Sequence, residues 1–301
     1  MTRVSTYGQL NTTLTSIMRL QSDVATATTQ QASGLKSDTY QGIGADSQRL
    51  VNLEGQIARS MQYVQQGEIV AARTSTMYEA VGGMVDVLSS YQTLLSTAMS
   101  ADQAESAALN ASAQSLMDSF ADLANTRLAG RYLFSGNATD TAPVDLGSYP
   151  AQTSPSSADT SYYQGDDAVA TFKASDDKTI TYGVTANGSA FEQAIRALSL
   201  GVNASEDPVD QDALTEAYDL VNAALDDLLV SQTKLSSAAS AIDSELDMQT
   251  DIQVRLEAMT SDIKEVDVAE ALSRMETLQT QLEASYSAIS RINGLNLFDY
   301  L

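Results

Sequence analysis

The chain has 301 residues, of which 39 are acidic and 16 are basic, so its formal net charge is −23. A chain this acidic repels phosphate backbones, and nucleic acid is therefore not an expected partner. It contains neither Cys nor His, which excludes disulfides, thiolate metal sites and an imidazole base. We therefore predict no catalytic residue, no cofactor and no metal site.

The N-terminal segment predicts a helix with one narrow stripe. Positions at alternating steps of three and four follow the seam of a coiled coil, although the seam becomes polar in its second half. These positions are Leu10, Leu14, Ile17, Gln21, Val24, Thr28, Gln31 and Leu35. Ser33-Gly34 predicts the end of this helix, and 36–45, which contains Gly42 and Gly44, is predicted to be irregular.

Residues 1–30 are polar and lack the apolar run of a secretory signal peptide. No stretch approaches the roughly 18 apolar residues that a membrane span needs. We therefore expect no membrane insertion, and any export should use a route other than signal-peptide cleavage.

A second helix is predicted to begin near Asp46 and to run for about 54 residues, or about 80 Å. Gly67 and the pair Gly82-Gly83 lie inside it, where they either bend the helix or allow close contact with a neighbour. A third helix is predicted over 103–130.

The helical pattern stops at residue 130, where Gly, Pro, Asp, Ser and Thr become frequent. Within this region, 168–173 and 178–183 are rich in β-branched and aromatic residues and flank Asp176-Asp177, which predicts a hairpin. A short helix is predicted over 190–200.

The last 90 residues predict two helices, 212–264 and 268–293, on either side of a short link. Asp267 lies in this link and is predicted to cap the second helix. The apolar stripe again follows steps of three and four through Ile252, Leu256, Met259, Ile263 and Val266, then Val268, Leu272, Met275, Leu278 (or Gln279), Leu282, Tyr286, Ile289 and Ile292. Because the stripe continues to an apolar chain end, it has little to bury against in its own chain and is interpreted as an assembly element.

Three segments resemble the flagellin family. They are Asp262-Ile-Lys-Glu-Val-Asp-Val-Ala-Glu-Ala-Leu-Ser-Arg-Met275, the ending Leu297-Phe-Asp-Tyr-Leu301, and Gly130-Arg-Tyr-Leu-Phe-Ser-Gly136. The last two are more similar to the members that join hook to filament than to filament flagellin. The resemblance covers 1–135 and 212–301 and is weak over 136–211.

The resemblance implies a structural protein that the flagellar type III apparatus exports, located outside the cell in the flagellum. The implied partners are further copies of this chain in a ring, a neighbouring hook-associated junction protein, flagellin and an export chaperone. The terminal helices of the family fold together on assembly, and the unsatisfied seams predict the same coupling.

We therefore predict a mainly α fold, with a long antiparallel helical bundle or coiled coil from both chain ends and a small inserted β-containing domain. Terminal assembly segments are predicted at 1–45 and 265–301, a helical bundle at 46–135 and 212–264, and an outward-facing insert at 136–211. The assembly contacts are predicted at Leu10, Leu14, Ile17, Leu282, Tyr286, Ile289, Leu297 and Leu301.

Three alternatives remain at this point. Filament flagellin shares the fold and differs in the chain ending. An enzyme acting on carbohydrate or through a metal could use acid pairs such as Asp166-Asp167 within 136–211, although nothing in the sequence brings such pairs to one pocket. A soluble coiled-coil adaptor would leave the apolar stripes at both termini unexplained.

Overall fold

A computed structural model describes residues 2–100, 106–204 and 210–298, except for the side chains of 2–7, 9, 10, 106 and 292–298. The chain divides into two compact units. Unit 1 consists of Met1–Arg59 and Ile252–Leu301, and unit 2 is Ser60–Asp251. Among the described helices, none is both long and apolar enough to cross a membrane.

Long helices account for most of the described chain, which confirms the predicted mainly α class. The helices are α1 (Thr2–Ser33), α2 (Tyr40–Ile43), α3 (Ser47–Ser100), α4 (Ser106–Ala124), α5 (Ser189–Val202), α6 (Gln211–Lys264) and α7 (Val268–Phe298). Two short antiparallel hairpins pair β1 (Arg127–Leu128) with β2 (Arg131–Tyr132), and β3 (Thr171–Lys173) with β4 (Thr179–Thr181). The predicted separation of α6 from α7 is confirmed, and α7 continues beyond its predicted end.

The long helix α3 passes through its glycines without interruption. A Cβ atom at Gly67 would lie 2.4 Å from Cδ2 of Leu246 and 3.1 Å from Cζ of Phe172. A Cβ atom at Gly83 would lie 3.1 Å from Cδ2 of Leu123. Of the two alternatives for these glycines, close packing against neighbouring elements is therefore the correct one.

Two boundary predictions were wrong. The third helix, predicted over 103–130, ends at Ala124 because the next side chain, Asn125, exchanges two hydrogen bonds of 2.9 Å with the backbone of Val144. The segment 36–45, predicted to be irregular, contains the single helical turn α2. In both places a side chain hydrogen-bonds to backbone, Asn125 to Val144 and Thr39 to Gly42, and hydrophobic spacing does not report such bonds.

Unit 2 has a hydrophobic core built around three phenylalanines. Phe191 on α5 contacts Phe120 on α4 and Phe134 in the segment after β2, with ring centroids 6.0 and 5.7 Å apart. All three are fully buried. Buried residues of α3 and α6, such as Leu88 and Leu228, join the same cluster. The core therefore packs α5 and the segment after β2 against α3, α4 and α6.

The predicted hairpin forms and packs on α3 and α6 through one face. Phe172 pairs with Ile180 across the strands, and both are buried with Val70 and Ile242. The flanking strand residues point to solvent, as expected for a two-residue alternation.

The Tyr-Leu-Phe-Ser-Gly segment, 132–136, ends in a constrained turn. Gly136 has a φ of 68°, and a Cβ atom there would lie 2.5 Å from the backbone oxygen of Asp166. The carboxylate of Asp166 accepts hydrogen bonds from the backbone N–H groups of Asn137 (2.8 Å) and Ala168 (3.0 Å). Glycine is therefore required at position 136, both because its φ is positive and because the backbone of Asp166 leaves no room for a side chain.

We predict that Gly136→Ala lowers the free energy of unfolding of unit 2 by about 1–3 kcal/mol, because the side chain forces both a strained φ and a backbone clash. Gly55→Ala is the matched control, since a Cβ atom at Gly55 on α3 meets nothing within 4 Å. That change should stabilise the helix by about 0.5–1 kcal/mol. Urea unfolding measures both, and equal effects of the two substitutions would contradict this interpretation.

Candidate assembly interface

The end of α1 and the start of α7 are joined through their backbones. The N–H of Val266 donates to the carbonyl of Gly34 (2.9 Å), and the N–H of Lys36 donates to the carbonyl of Lys264 (2.7 Å). These bonds flank an antiparallel bridge between Leu35 and Glu265. They set the start of α7 beside the end of α1.

The link between α6 and α7 is capped as predicted. Oδ1 of Asp267 accepts hydrogen bonds from the N–H groups of Ala269 (2.8 Å) and Glu270 (3.2 Å). These N–H groups have no partner inside the helix, so the cap fixes where α7 begins. The start of α7 is therefore encoded by one aspartate.

A polar anchor that the sequence analysis missed braces the same junction. Glu54 on α3 accepts a hydrogen bond from Nζ of Lys264 (3.0 Å) and one from the hydroxyl of Tyr40 (2.7 Å). The Tyr40 hydroxyl and then Lys264 lower the pKa of Glu54 from its ordinary 4.5. The anchor therefore contributes stability above pH 4.5, and this contribution is lost as the pH falls through the lower pKa of the folded chain. Lys264 is 210 residues from Glu54, and no spacing pattern connects the three residues.

The helices α1 and α7 pack as an antiparallel pair along one seam. Further along the pair, Nε2 of Gln21 donates to the hydroxyl of Tyr286, which sets the antiparallel direction. The covered positions follow alternating steps of four and three on both helices. They are Thr13, Ile17, Leu20, Val24, Ala27 and Gln31 on α1, and Ala271, Met275, Leu278, Leu282, Ser285 and Ile289 on α7.

The seam is narrow and is filled largely by small or half-buried side chains. Ile17, Ala27 and Ala271 are buried, with exposed fractions of 5%, 2% and 2%. The other seam residues are half-buried. Apolar area buried within the pair is therefore limited, and so is the stability that it provides.

A second apolar stripe borders the seam and stays in solvent. Leu14 and Met18 on α1 are 44% and 61% exposed, and Leu272 and Tyr286 on α7 are 40% and 47% exposed. Successive residues of a helix are rotated by about 100° about its axis, so these four side chains lie about 60–140° around the helix from the seam. The hydrogen bond between Gln21 and Tyr286 places the two exposed stripes on the same side of the pair, where they share one surface with intervening polar residues such as Gln279. We call this surface, together with the exposed Val268, the apolar face of the pair.

The opposite side of the pair is polar. Positions rotated the other way from the seam are exposed and include Arg19 and Thr26 on α1 and Thr277 and Gln281 on α7. A helix pair surrounded only by water would be expected to be polar on both of its exposed sides. The side that carries exposed apolar side chains is therefore expected to be buried against another surface.

The predicted assembly residues fall into three groups. Ile17, Leu282 and Ile289 lie in the seam between α1 and α7, whereas Leu14 and Tyr286 lie on the apolar face. The backbones of Leu10 and Leu297 are helical, but their side chains are outside the described set, and Leu301 lies outside the described residues. Their role in assembly stays a prediction.

The predicted register of the seam needs correction. Spacing alone placed Val268, Leu272 and Tyr286 in it, but α7 presents Ala271 and Ser285 at the corresponding turns. Ala271 and Ser285 are covered at these turns, and the larger apolar residues beside them, Leu272 and Tyr286, are left exposed. Because two stripes with the same period run side by side, the spacing could not decide between them.

The acid pairs considered for catalysis have structural partners. Asp166 holds the turn after Gly136, Asp167 accepts from the side chain of Asn187, and Asp176 accepts from the hydroxyl of Tyr63 at 2.9 Å. Over the part of the chain that is described, no group of three or more acidic side chains is placed to hold a metal ion.

Two family profiles match the chain. The bacterial flagellin N-terminal helical region matches residues 4–139, and the bacterial flagellin C-terminal helical region matches residues 218–301. Among individual proteins, flagellar hook-associated protein 3 of Escherichia coli (strain K12) is 30% identical over 214 residues. This alignment covers 64% of the chain and 65% of the relative, so the chain spans less than two thirds of the curated relative that it matches.

Solved structures share the fold. A protein described as flagellar hook-associated from Vibrio parahaemolyticus has a TM-score of 0.60 at 16% identity, covering 75% of this chain and 99% of that one. Bacillus cereus FlgL has a TM-score of 0.54 at 17% identity, covering 70% of this chain and 98% of that one. The two matched flagellin regions contain both members of the α1–α7 pair and together cover well over half of the sequence. The chain belongs to the bacterial flagellin family.

Proposed function

We propose that this chain is a structural subunit of the flagellum that polymerises at the distal end of the hook and joins hook to filament. Its partners are further copies of itself, a neighbouring hook-associated junction protein and flagellin, with an export chaperone before secretion. Its work is mechanical, because it adapts the lattice of the hook to the lattice of the filament. The observation that carries the proposal is the apolar face of the α1–α7 pair.

The apolar face supports assembly on energetic grounds. Burying an exposed Leu, Met, Val or Tyr side chain completely contributes about 1.5–3 kcal/mol, and the face offers several such side chains on one side. Leu14 and Met18 on one helix and Leu272 on the other are therefore better suited to a neighbouring subunit than to water. The polar side of the same pair would face away from that neighbour.

The named relatives support the junction over the filament. The curated relative is hook-associated protein 3, and the solved structure from Vibrio parahaemolyticus is also described as hook-associated. Filament flagellin remains the alternative, since the same two family profiles describe it. The two functions differ in what happens to flagellin when this chain is absent.

The same proposal assigns a role to each segment of the chain and a route of export. Segments 1–45 and 265–301 form the assembly layer, 46–135 and 212–264 form the supporting bundle, and 136–211 faces outward. The subunit is exported through the flagellar type III apparatus and acts outside the cell. Export in an extended state would suit a chain without disulfides.

We predict that a strain lacking this chain carries hooks without filaments and releases flagellin into the medium. Flagellin would still be made and exported but would have no attachment point. Electron microscopy of the cells and immunoblotting of the medium measure both effects, and a plasmid copy should restore filaments. If no flagellin is made or released in the mutant, the chain is itself the filament subunit.

We predict that Met18→Asp combined with Leu272→Asp lowers incorporation at least ~10-fold, because it places charge on the apolar face. Both positions are exposed in the free chain, so its stability should change by no more than about 0.5 kcal/mol per site. Thr26→Asp with Gln281→Asp adds the same charge on the polar side and should assemble normally. Normal filament attachment in the first variant would refute the proposed interface.

We predict a different outcome for Leu282→Asp with Ile289→Asp. These residues lie in the seam, so the change should cost about 2 kcal/mol or more per site and separate α1 from α7 while unit 2 stays folded. Incorporation should be abolished. Hydrogen exchange should show lost protection in α1 and α7 and retained protection around Phe191. An unchanged filament in this variant would contradict the account.

A further inference from the structure

A polar cavity of about 340 Å³ lies on unit 2, between α3, the segment after β2, and the β3–β4 hairpin. Its polar lining includes Arg73 on α3, Arg131 on β2, and Asn137 and Thr139 in the following segment. The volume is within the range of sites that hold small ligands. Nothing in the proposed assembly role uses these residues.

Among the described residues, no ion pair involves either arginine. Within the described chain, the ion pairs involve other cations, and neither Arg73 nor Arg131 donates a side-chain hydrogen bond. Arg73 is half-buried, so its guanidinium is partly withdrawn from water without a replacement partner. The chain has 39 acidic residues for only 16 basic ones, and two unpaired guanidiniums in one cavity are therefore unexpected.

Nearby acids are already engaged. The Asp166 carboxylate accepts from the backbone N–H groups of Asn137 and Ala168, and Asp167 accepts from Asn187. Turning Asp166 toward the arginines would release the hydrogen bonds that hold this turn, and turning Asp167 would release its bond to Asn187. The positive charge of the cavity is therefore available to an anionic group that comes from outside this chain.

A third arginine strengthens the positive charge and positions one wall. The guanidinium of Arg127 lies 4.6 Å from the ring centroid of Tyr132, which lines the cavity, and it donates to the carbonyl of Gly130 at 2.9 Å. A cation over the ring face stabilises the ring in this position. Tyr132 is therefore held in place in the wall of the cavity before any ligand arrives.

We propose that this cavity binds a carboxylate group, held by the guanidiniums of Arg73 and Arg131 with Asn137 and Thr139 as further donors. A guanidinium presents its N–H groups in a planar fork that matches the two oxygens of a carboxylate. Two sources supply that chemistry, a free small carboxylic acid or an acidic side chain of a second copy of this chain. The proposal concerns unit 2 and stands independently of the assembly role of the α1–α7 pair.

Titration calorimetry of the full-length chain with citrate, against sodium chloride at equal ionic strength, tests the site. Citrate should bind and should raise Tm, as any ligand of the folded state does. Arg73→Ala with Arg131→Ala should weaken binding at least ~10-fold per arginine, the effect expected for loss of a charge-assisted hydrogen bond. Arg59→Ala with Arg255→Ala removes the same charge at exposed positions of α3 and α6 and should leave binding unchanged.

Arg73→Lys with Arg131→Lys keeps the charge and loses the planar fork. It should bind citrate with intermediate affinity, and it serves as the test if the alanine variant fails to fold by circular dichroism. Absence of citrate binding beyond the chloride control would overturn the proposal. Citrate binding that neither the alanine nor the lysine variant weakens would also overturn it.

Sedimentation velocity over a range of protein concentrations separates the two sources. If the carboxylate comes from a second copy, the chain should self-associate, and both citrate and the Arg73→Ala, Arg131→Ala variant should reduce that association. If citrate binds through the arginines but association is unaffected, the natural ligand is a free acid. Both results retain the carboxylate site and assign its source.

Discussion

The pairing of the first helix with the last determines which apolar side chains remain for other subunits. The backbone bond from Val266 to Gly34 and the cap at Asp267 fix where the two helices meet. The seam through Ala27 and Ala271 fixes how each helix is rotated. With the rotation set, Leu14 and Met18 cannot reach the seam. The apolar face is thus a geometric consequence of the register in which the two helices pair.

Stability is unevenly divided between the two units. Unit 2 buries three phenylalanines together with residues of four helices, including Leu88 and Leu228. The α1–α7 seam buries few side chains completely, and the junction beside it relies on a small cluster around Leu50 and on the Glu54 anchor. A folded unit 2 with a weakly stabilised terminal pair suits a subunit whose ends gain their remaining contacts from neighbours.

Much of the architecture could be predicted because long helices leave a strong periodic signal. The 54 residues of α3, the cap at Asp267 and the β3–β4 hairpin all follow from spacing, capping chemistry or β-branched content. The register of the seam could not be predicted, because Tyr286 and Ser285 occupy adjacent stripes and hydrophobicity favours the wrong one. Side-chain anchors such as Glu54 with Tyr40 join residues without a common pattern, and the end of α4 depends on a single asparagine.

The most direct test of the central claim is immunogold electron microscopy of intact flagella with an antibody against residues 136–211. This segment faces outward in the proposed subunit, so it should be accessible in the assembled structure. Label confined to one band at the boundary of hook and filament is the result that the account predicts. Label along the whole filament would contradict it and would make this chain a filament flagellin.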